Sequence, residues 1–99
     1  MKPREFLSVD PASLHLPGSR REGADPEKLQ RQLARYGRGI VGMPPIEVQR
    51  GNDGELVIFD GVTRATRVAK FLPGIPLLVE VTGNLNGPLS DLPIVGERL

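Results

Sequence analysis

The sequence predicts a small α+β domain, a mixed β-sheet packed by helices, over residues 1–82, with a Pro/Gly-containing C-terminal tail at 83–99. Three observations predict it. Short apolar runs bounded by Gly and Pro, such as Leu56-Val57-Ile58-Phe59 and Pro76-Leu77-Leu78-Val79-Glu80-Val81, have the chemistry of strands. Two intervening segments carry apolar residues at helical spacing between start and stop signals. A length of 99 residues, with 38% hydrophobic and 25% charged content, suits one modest core and not two.

Composition narrows the function classes. The 13 basic and 12 acidic residues leave a formal net charge of +1, which announces neither nucleic acid nor an anionic membrane, so any basic site is local. With no cysteine, disulfides, thiolate metal sites and cysteine nucleophiles are excluded, and a cytoplasmic setting is compatible. The single His15 cannot build a zinc cluster. No apolar segment approaches the roughly 18 residues that span a bilayer, and Met1-Lys2-Pro3-Arg4-Glu5 lacks the apolar core of a secretory signal. The expectation is a soluble, cytoplasmic protein with no membrane partner. High Pro and Gly counts, 10 and 12, predict many turns and short elements.

Residues 4–9 predict an opening strand that Asp10-Pro11 stops. Leu14 and Leu16 alternate around His15, for which no partner residue type lies nearby in sequence; a histidine without a chemical role is the simpler reading, against a ligand or proton carrier. Gly18-Ser19-Arg20-Arg21-Glu22-Gly23 is a loop that offers two arginines and a carboxylate, able to fold over a bound anion or simply be solvated. Asp25-Pro26-Glu27 opens a helix: an N-cap acceptor, proline at the first helical position, and acid in the first turn. This helix is expected to run to Tyr36 and stop at Gly37, with Leu29, Leu33 and Tyr36 facing the core and Lys28, Arg31 and Arg35 forming a second, basic stripe. Pro44-Pro45 leads into the strand Ile46-Glu47-Val48, and Gly51-Asn52-Asp53-Gly54 is a hairpin turn by composition. Leu56 to Phe59, apolar on both faces, is expected to be a central strand. The following helix turns Ala65, Val68, Ala69 and Leu72 to the core and ends at Pro73-Gly74. Past Gly83, scattered leucines without a period leave a packed tail, a partner-binding arm or a disordered end open, the favoured reading being a tail docked on the domain or on a second copy.

The stretch Asp60-Gly61-Val62-Thr63-Arg64-Ala65-Thr66-Arg67 concentrates the chemistry. A strand that ends in glycine and opens a helix leaves free backbone N–H groups and the positive end of the helix dipole at one point. Thr63 adds a hydroxyl, as a cap or as a ligand contact, and Arg64 adds a planar charged fork expected at the exposed rim of the turn. The alternative is an ordinary turn, cap and solvated arginine.

The order strand, arginine loop, capped helix, Pro-Pro-Ile strand, hairpin, strand, Asp-Gly-x-x-Arg turn, helix, strand resembles the ParB/sulfiredoxin fold, also called the ParB-like nuclease domain, over about residues 4–82. Asp25-Pro26-Glu27-Lys28-Leu29-Gln30 is similar to the helix start of sulfiredoxins, Pro44-Pro45-Ile46-Glu47-Val48 to the family's Pro-Pro-Ile-Asp-Val strand, and Gly61-Val62-Thr63-Arg64 to its Gly-x-x-Arg phosphate turn. The resemblance implies nucleotide phosphates, ATP or CTP with Mg2+, at Gly61 and Arg64, helped by Lys28. Arg31 and Arg35 fall where sulfiredoxins have hydroxyl residues that contact nucleotide, and Arg20 or Arg21 lies near the family's N-terminal arginine. Val62 and Thr63 replace the cysteine and histidine that sulfinic acid reduction requires, which excludes that reaction. The helix-turn-helix and dimerisation domains of partition proteins are absent from these residues.

Three functions stay open. The first is a binding module in which Gly61, Thr63, Arg64, Lys28, Arg31 and one of Arg20 or Arg21 hold a nucleotide or a nucleic-acid phosphate. The second is a small phosphotransferase, NTPase or nuclease with Glu22 or Asp60 as general base or metal ligand. The third is a scaffold or regulator that has lost the ligand, with the tail as a surface for a protein partner or a homodimer.

Overall fold

The computed structural model describes residues 3–99. The chain forms strand β1 (Glu5–Val9), helix α1 (Pro26–Tyr36), strands β2 (Ile46–Arg50) and β3 (Leu56–Asp60), helix α2 (Val62–Phe71) and strand β4 (Leu77–Asn84), with short 3-10 turns at Pro11–Ser13, Gly18–Arg20 and Val95–Arg98. The α1 start signal operates as chemistry requires: Asp25 accepts the Glu27 N–H at 2.9 Å, Pro26 follows, and Gly37 closes the helix at φ 63°.

The four strands make one mixed sheet in the order β1-β4-β2-β3. β1 pairs antiparallel with β4 and β2 antiparallel with β3, while β2 and β4 run parallel. The parallel pair arises because α2 carries the chain from β3 back across the sheet to β4. Both of β2's ladders contain a register shift. At the β2–β4 shift the Thr82 hydroxyl donates to Val48 O at 3.3 Å, so the bulged carbonyl keeps a partner. Ile46, Val48, Ile58 and Val79 of the sheet pack with Ala65, Val68 and Ala69 of α2, and Leu14, Leu16 and Val95 close the same core. This is the α+β architecture the residue pattern predicts.

Three expectations are corrected. The strand Leu56–Asp60 lies at the end of the sheet order and not in its centre. Its apolar residues on both faces have another cause: Ile58 faces the core, Val57 is buried on the opposite side, and the edge is covered by main chain from elsewhere. His15 N donates to Leu56 O at 2.9 Å, Ile58 N donates to His15 O at 3.0 Å, and Leu16 N and Val95 N bond Pro93 O and Leu14 O. The 14–16 segment therefore continues the ladder past β3 and joins it to the chain end. Second, the α1 stripe is not core: Leu29 and Leu33 are half-buried and Tyr36 is exposed. Helix α1 packs beside α2 and not on the sheet. Third, β4 continues to Asn84, across the expected boundary at 82/83.

Beyond β4 the chain packs on the rest of the molecule, burying Leu89 and Val95. No helix of the described residues is long and apolar enough to cross a membrane.

Candidate functional site

The turn between β3 and α2 is built around Gly61. Its φ of 120° lies where a side chain is strained, and a Cβ there would come 2.9 Å from Arg64 Nη2 and 3.1 Å from Ile46 Cγ1. Glycine thus lets the Arg64 side chain fold back over the turn. Arg64 Nη1 donates to Pro44 O at 3.2 Å and Nη2 to Asp60 Oδ2 at 3.3 Å. The side chain is 14% exposed, so Arg64 does not stand at an exposed rim; it ties the turn to the Pro44-Pro45 segment and keeps further N–H donors for a ligand.

Helix α2 starts without a cap. Gly61 occupies the N-cap position, no side chain accepts from the first turn, and that turn holds no acid. The first intrahelical bond runs from Ala65 N to Gly61 O at 2.9 Å, which leaves the N–H groups of Val62, Thr63 and Arg64 without a helical acceptor. Thr63 is inside the helix and is not its cap. It is 9% exposed, and whereas the Thr66 and Thr82 hydroxyls donate to Val62 O and Val48 O, no protein group among the described residues holds the Thr63 hydroxyl. That hydroxyl is not sealed in the core. Thr63 lines the recess described next.

A cleft of about 840 Å3 opens at this turn. Its floor is Val57 to Arg64; Arg20, Lys28, Gln32 and Gln49 supply polar groups, and Leu85, Leu89 and Leu92 form an apolar wall. Of the residues singled out in the sequence, Asp60, Gly61, Thr63, Arg64, Lys28 and Arg20 meet here. Arg31 lies one turn along α1 on a smaller recess of about 340 Å3. Arg21 and Glu22 are exposed and line neither. The loop that carries them is held: Arg98 Nε donates to Arg21 O at 2.9 Å, and Gly23 N bonds Arg20 O.

No family model matches the sequence, and neither curated proteins nor solved structures yield a match. The chemistry of the cleft therefore rests on its own residues.

Arg67 is the second arginine of the turn sequence, and it points away from the cleft. Its residue is 0% exposed. Nη1 donates to Gly37 O at 2.9 Å and to Gly39 O at 2.7 Å, Nη2 meets Met43 Sδ at 3.0 Å, and Nε reaches Gln32 Oε1 at 3.4 Å. Burial pushes the guanidinium pKa down from its ordinary value, with Tyr36 acting in the opposite sense. By taking the Gln32 carbonyl oxygen, Arg67 leaves the Gln32 amide donors for the cleft. Gln32 was not singled out in the sequence, although its position four residues after Lys28 places the two on one helical face. Gln49 and the leucine wall carry no local signal at all.

Asp60 is the one carboxylate lining the cleft among the described residues. No group of three His, Cys, Asp or Glu side chains converges among them. A magnesium ion here would be carried by ligand phosphates and water, with Asp60 as the protein carboxylate within the cleft.

Proposed function

We propose that this chain is a ParB/sulfiredoxin-like binding domain that takes a nucleotide or nucleic-acid phosphate at the turn between β3 and α2. The observation that carries the proposal is Thr63: a hydroxyl on a side chain nine-tenths buried, without a protein partner, beside three unbonded N–H groups of an uncapped helix. The hydroxyl is accessible from the cleft, and one anion would accept from it and from the N–H groups together. Arg20, Lys28 and Arg64 line the same cleft and supply positive charge. A cleft near 840 Å3 is of the size that holds a drug-sized ligand, and its leucine wall offers a base an apolar surface. The element order and the Gly-x-x-Arg turn agree with this assignment, and a cytoplasmic setting would supply ATP or CTP with magnesium.

The test is thermal stabilisation by each nucleoside triphosphate, with and without magnesium. A ligand at a hundredfold excess over Kd contributes about 2.7 kcal/mol. Lys28→Ala, at an exposed helix position, is expected to cut the affinity about tenfold while leaving the unliganded melting temperature unchanged. Absence of stabilisation by every nucleotide and by short oligonucleotides overturns the proposal. Stabilisation accompanied by hydrolysis that Asp60→Asn abolishes would replace the binding module with the phosphotransferase reading.

A further inference from the structure

The overall charge of +1 conceals a strong separation. The helical layer, residues 26–43 and 61–71, holds seven of the 13 basic residues and one, Glu27, of the 12 carboxylates. Elsewhere two of the five arginines are ion-paired, Arg4 with Glu80 and Arg50 with Glu5. Lys28, Arg31 and Arg35 have no ion pair among the described residues.

These three side chains line the smaller recess together with Gln32, Tyr36 and Thr63. Lys28, Gln32 and Thr63 also line the main cleft. The two recesses thus adjoin at Lys28, Gln32 and Thr63, and the basic stripe of α1 leads away from the turn. At its far end the Arg35 guanidinium lies 5.2 Å from the centroid of the Tyr36 ring, which is 42% exposed. The Arg67 guanidinium also lies 5.7 Å from that centroid, so the flat surface offered to a base is the outer face of the Arg35 guanidinium.

We infer that the ligand is a single-stranded nucleic acid, with one phosphate at the Thr63 turn and the next phosphates carried along Lys28, Arg31 and Arg35 toward the Arg35–Tyr36 pair. A single nucleotide would leave the second recess and its unpaired charges unused. Two adjoining recesses suit a flexible strand with splayed bases better than a stiff duplex. The inference rests on the phosphate reading of the turn.

The experiment is calorimetric titration with 5′-phosphorylated oligothymidylates of one, two, four and eight nucleotides and with an eight-base-pair duplex, between about 50 and 200 mM salt. The affinity is expected to rise at least tenfold from one to four nucleotides and then level off. Arg31→Gln with Arg35→Gln should cancel that rise, leave the mononucleotide affinity unchanged, and reduce the slope of log K against log salt by about 1.4, since each phosphate contact on a single strand contributes roughly 0.7. Both positions are exposed, and an unchanged melting temperature of the double variant itself shows that it still folds. A flat length dependence, or a rise that survives the double substitution, overturns the path while leaving the turn site intact. Tighter binding of the duplex overturns the single-strand assignment. No binding of any oligonucleotide overturns the inference, and the turn reading falls with it only if the nucleoside triphosphates also give no stabilisation.

Discussion

At the scale of single residues, two side chains separated by one helical turn of α2 divide the work. The Thr63 hydroxyl has no protein partner among the described residues; Arg67 has its donors filled by carbonyls and a sulfur. Thr63→Val replaces the hydroxyl with a methyl of similar size, so nucleotide affinity is expected to fall about tenfold while stability moves by less than about 0.5 kcal/mol, as equilibrium denaturation and titration would show. Arg67→Ala is expected to do the reverse, lowering stability by about 2 to 4 kcal/mol, because it opens a cavity and frees the Gly37 and Gly39 carbonyls together. Arg67→Lys should restore only part of this, since an ammonium cannot reproduce the planar fork. In the sequence both arginines of the turn look alike. Only the packing of residues 37–43 against α2 separates Arg64, beside the cleft, from Arg67, beneath it. That packing is non-local and leaves no mark in the spacing.

At the scale of elements, the hairpin turn between β2 and β3 does more than reverse the chain. Asp53 accepts the N–H groups of Leu89 at 2.9 Å, Ser90 at 3.0 Å and Glu55 at 3.1 Å. The turn also bonds the tail through Asn52 N to Gly87 O and Asn52 Nδ2 to Asn86 O. Gly51 makes room for this grip, since a Cβ there would lie 2.7 Å from Leu89 Cγ. Desolvation raises the Asp53 pKa, but the N–H donors of Leu89, Glu55 and Ser90 outweigh it and hold the carboxyl below its ordinary 3.8. A depressed carboxyl contributes stability that is present above the unfolded value and lost as pH falls through the folded one. Acid titration should therefore loosen residues 85–90 below about pH 3.8, and Asp53→Asn should remove that part of the acid dependence, as hydrogen exchange at Leu89 and Ser90 would report. The turn itself was legible from Gly51-Asn52-Asp53-Gly54, as were both helices and all four strands to within a few residues. Its hold on the tail was not, because Asp53 reads equally well as a turn former whose carboxylate faces water.

At the scale of the whole molecule, the α+β class and the helical cap at Asp25 followed from period and punctuation, whereas the place of β3 in the sheet did not. Apolar residues on both faces signal burial, and they do not say what does the burying; here it is residues 14–16 and the chain end. Deleting residues 85–99 is therefore expected to remove Leu89 and Val95 from the interior, expose Val57 and abolish a cooperative melting transition in calorimetry. The pairing of the two ends has a kinetic side. Among the described residues β1 pairs with β4 alone, with Glu5 opposite Val81, and the His15 ring meets Leu92 O across 77 positions of chain. Loop closure over such separations must precede the contacts that reward it, which places folding toward the slower end for a chain of this length. During synthesis β1 and the 14–16 segment emerge well before β4 and residues 93–95, so the nascent protein carries an unsatisfied strand edge until those partners have left the ribosome.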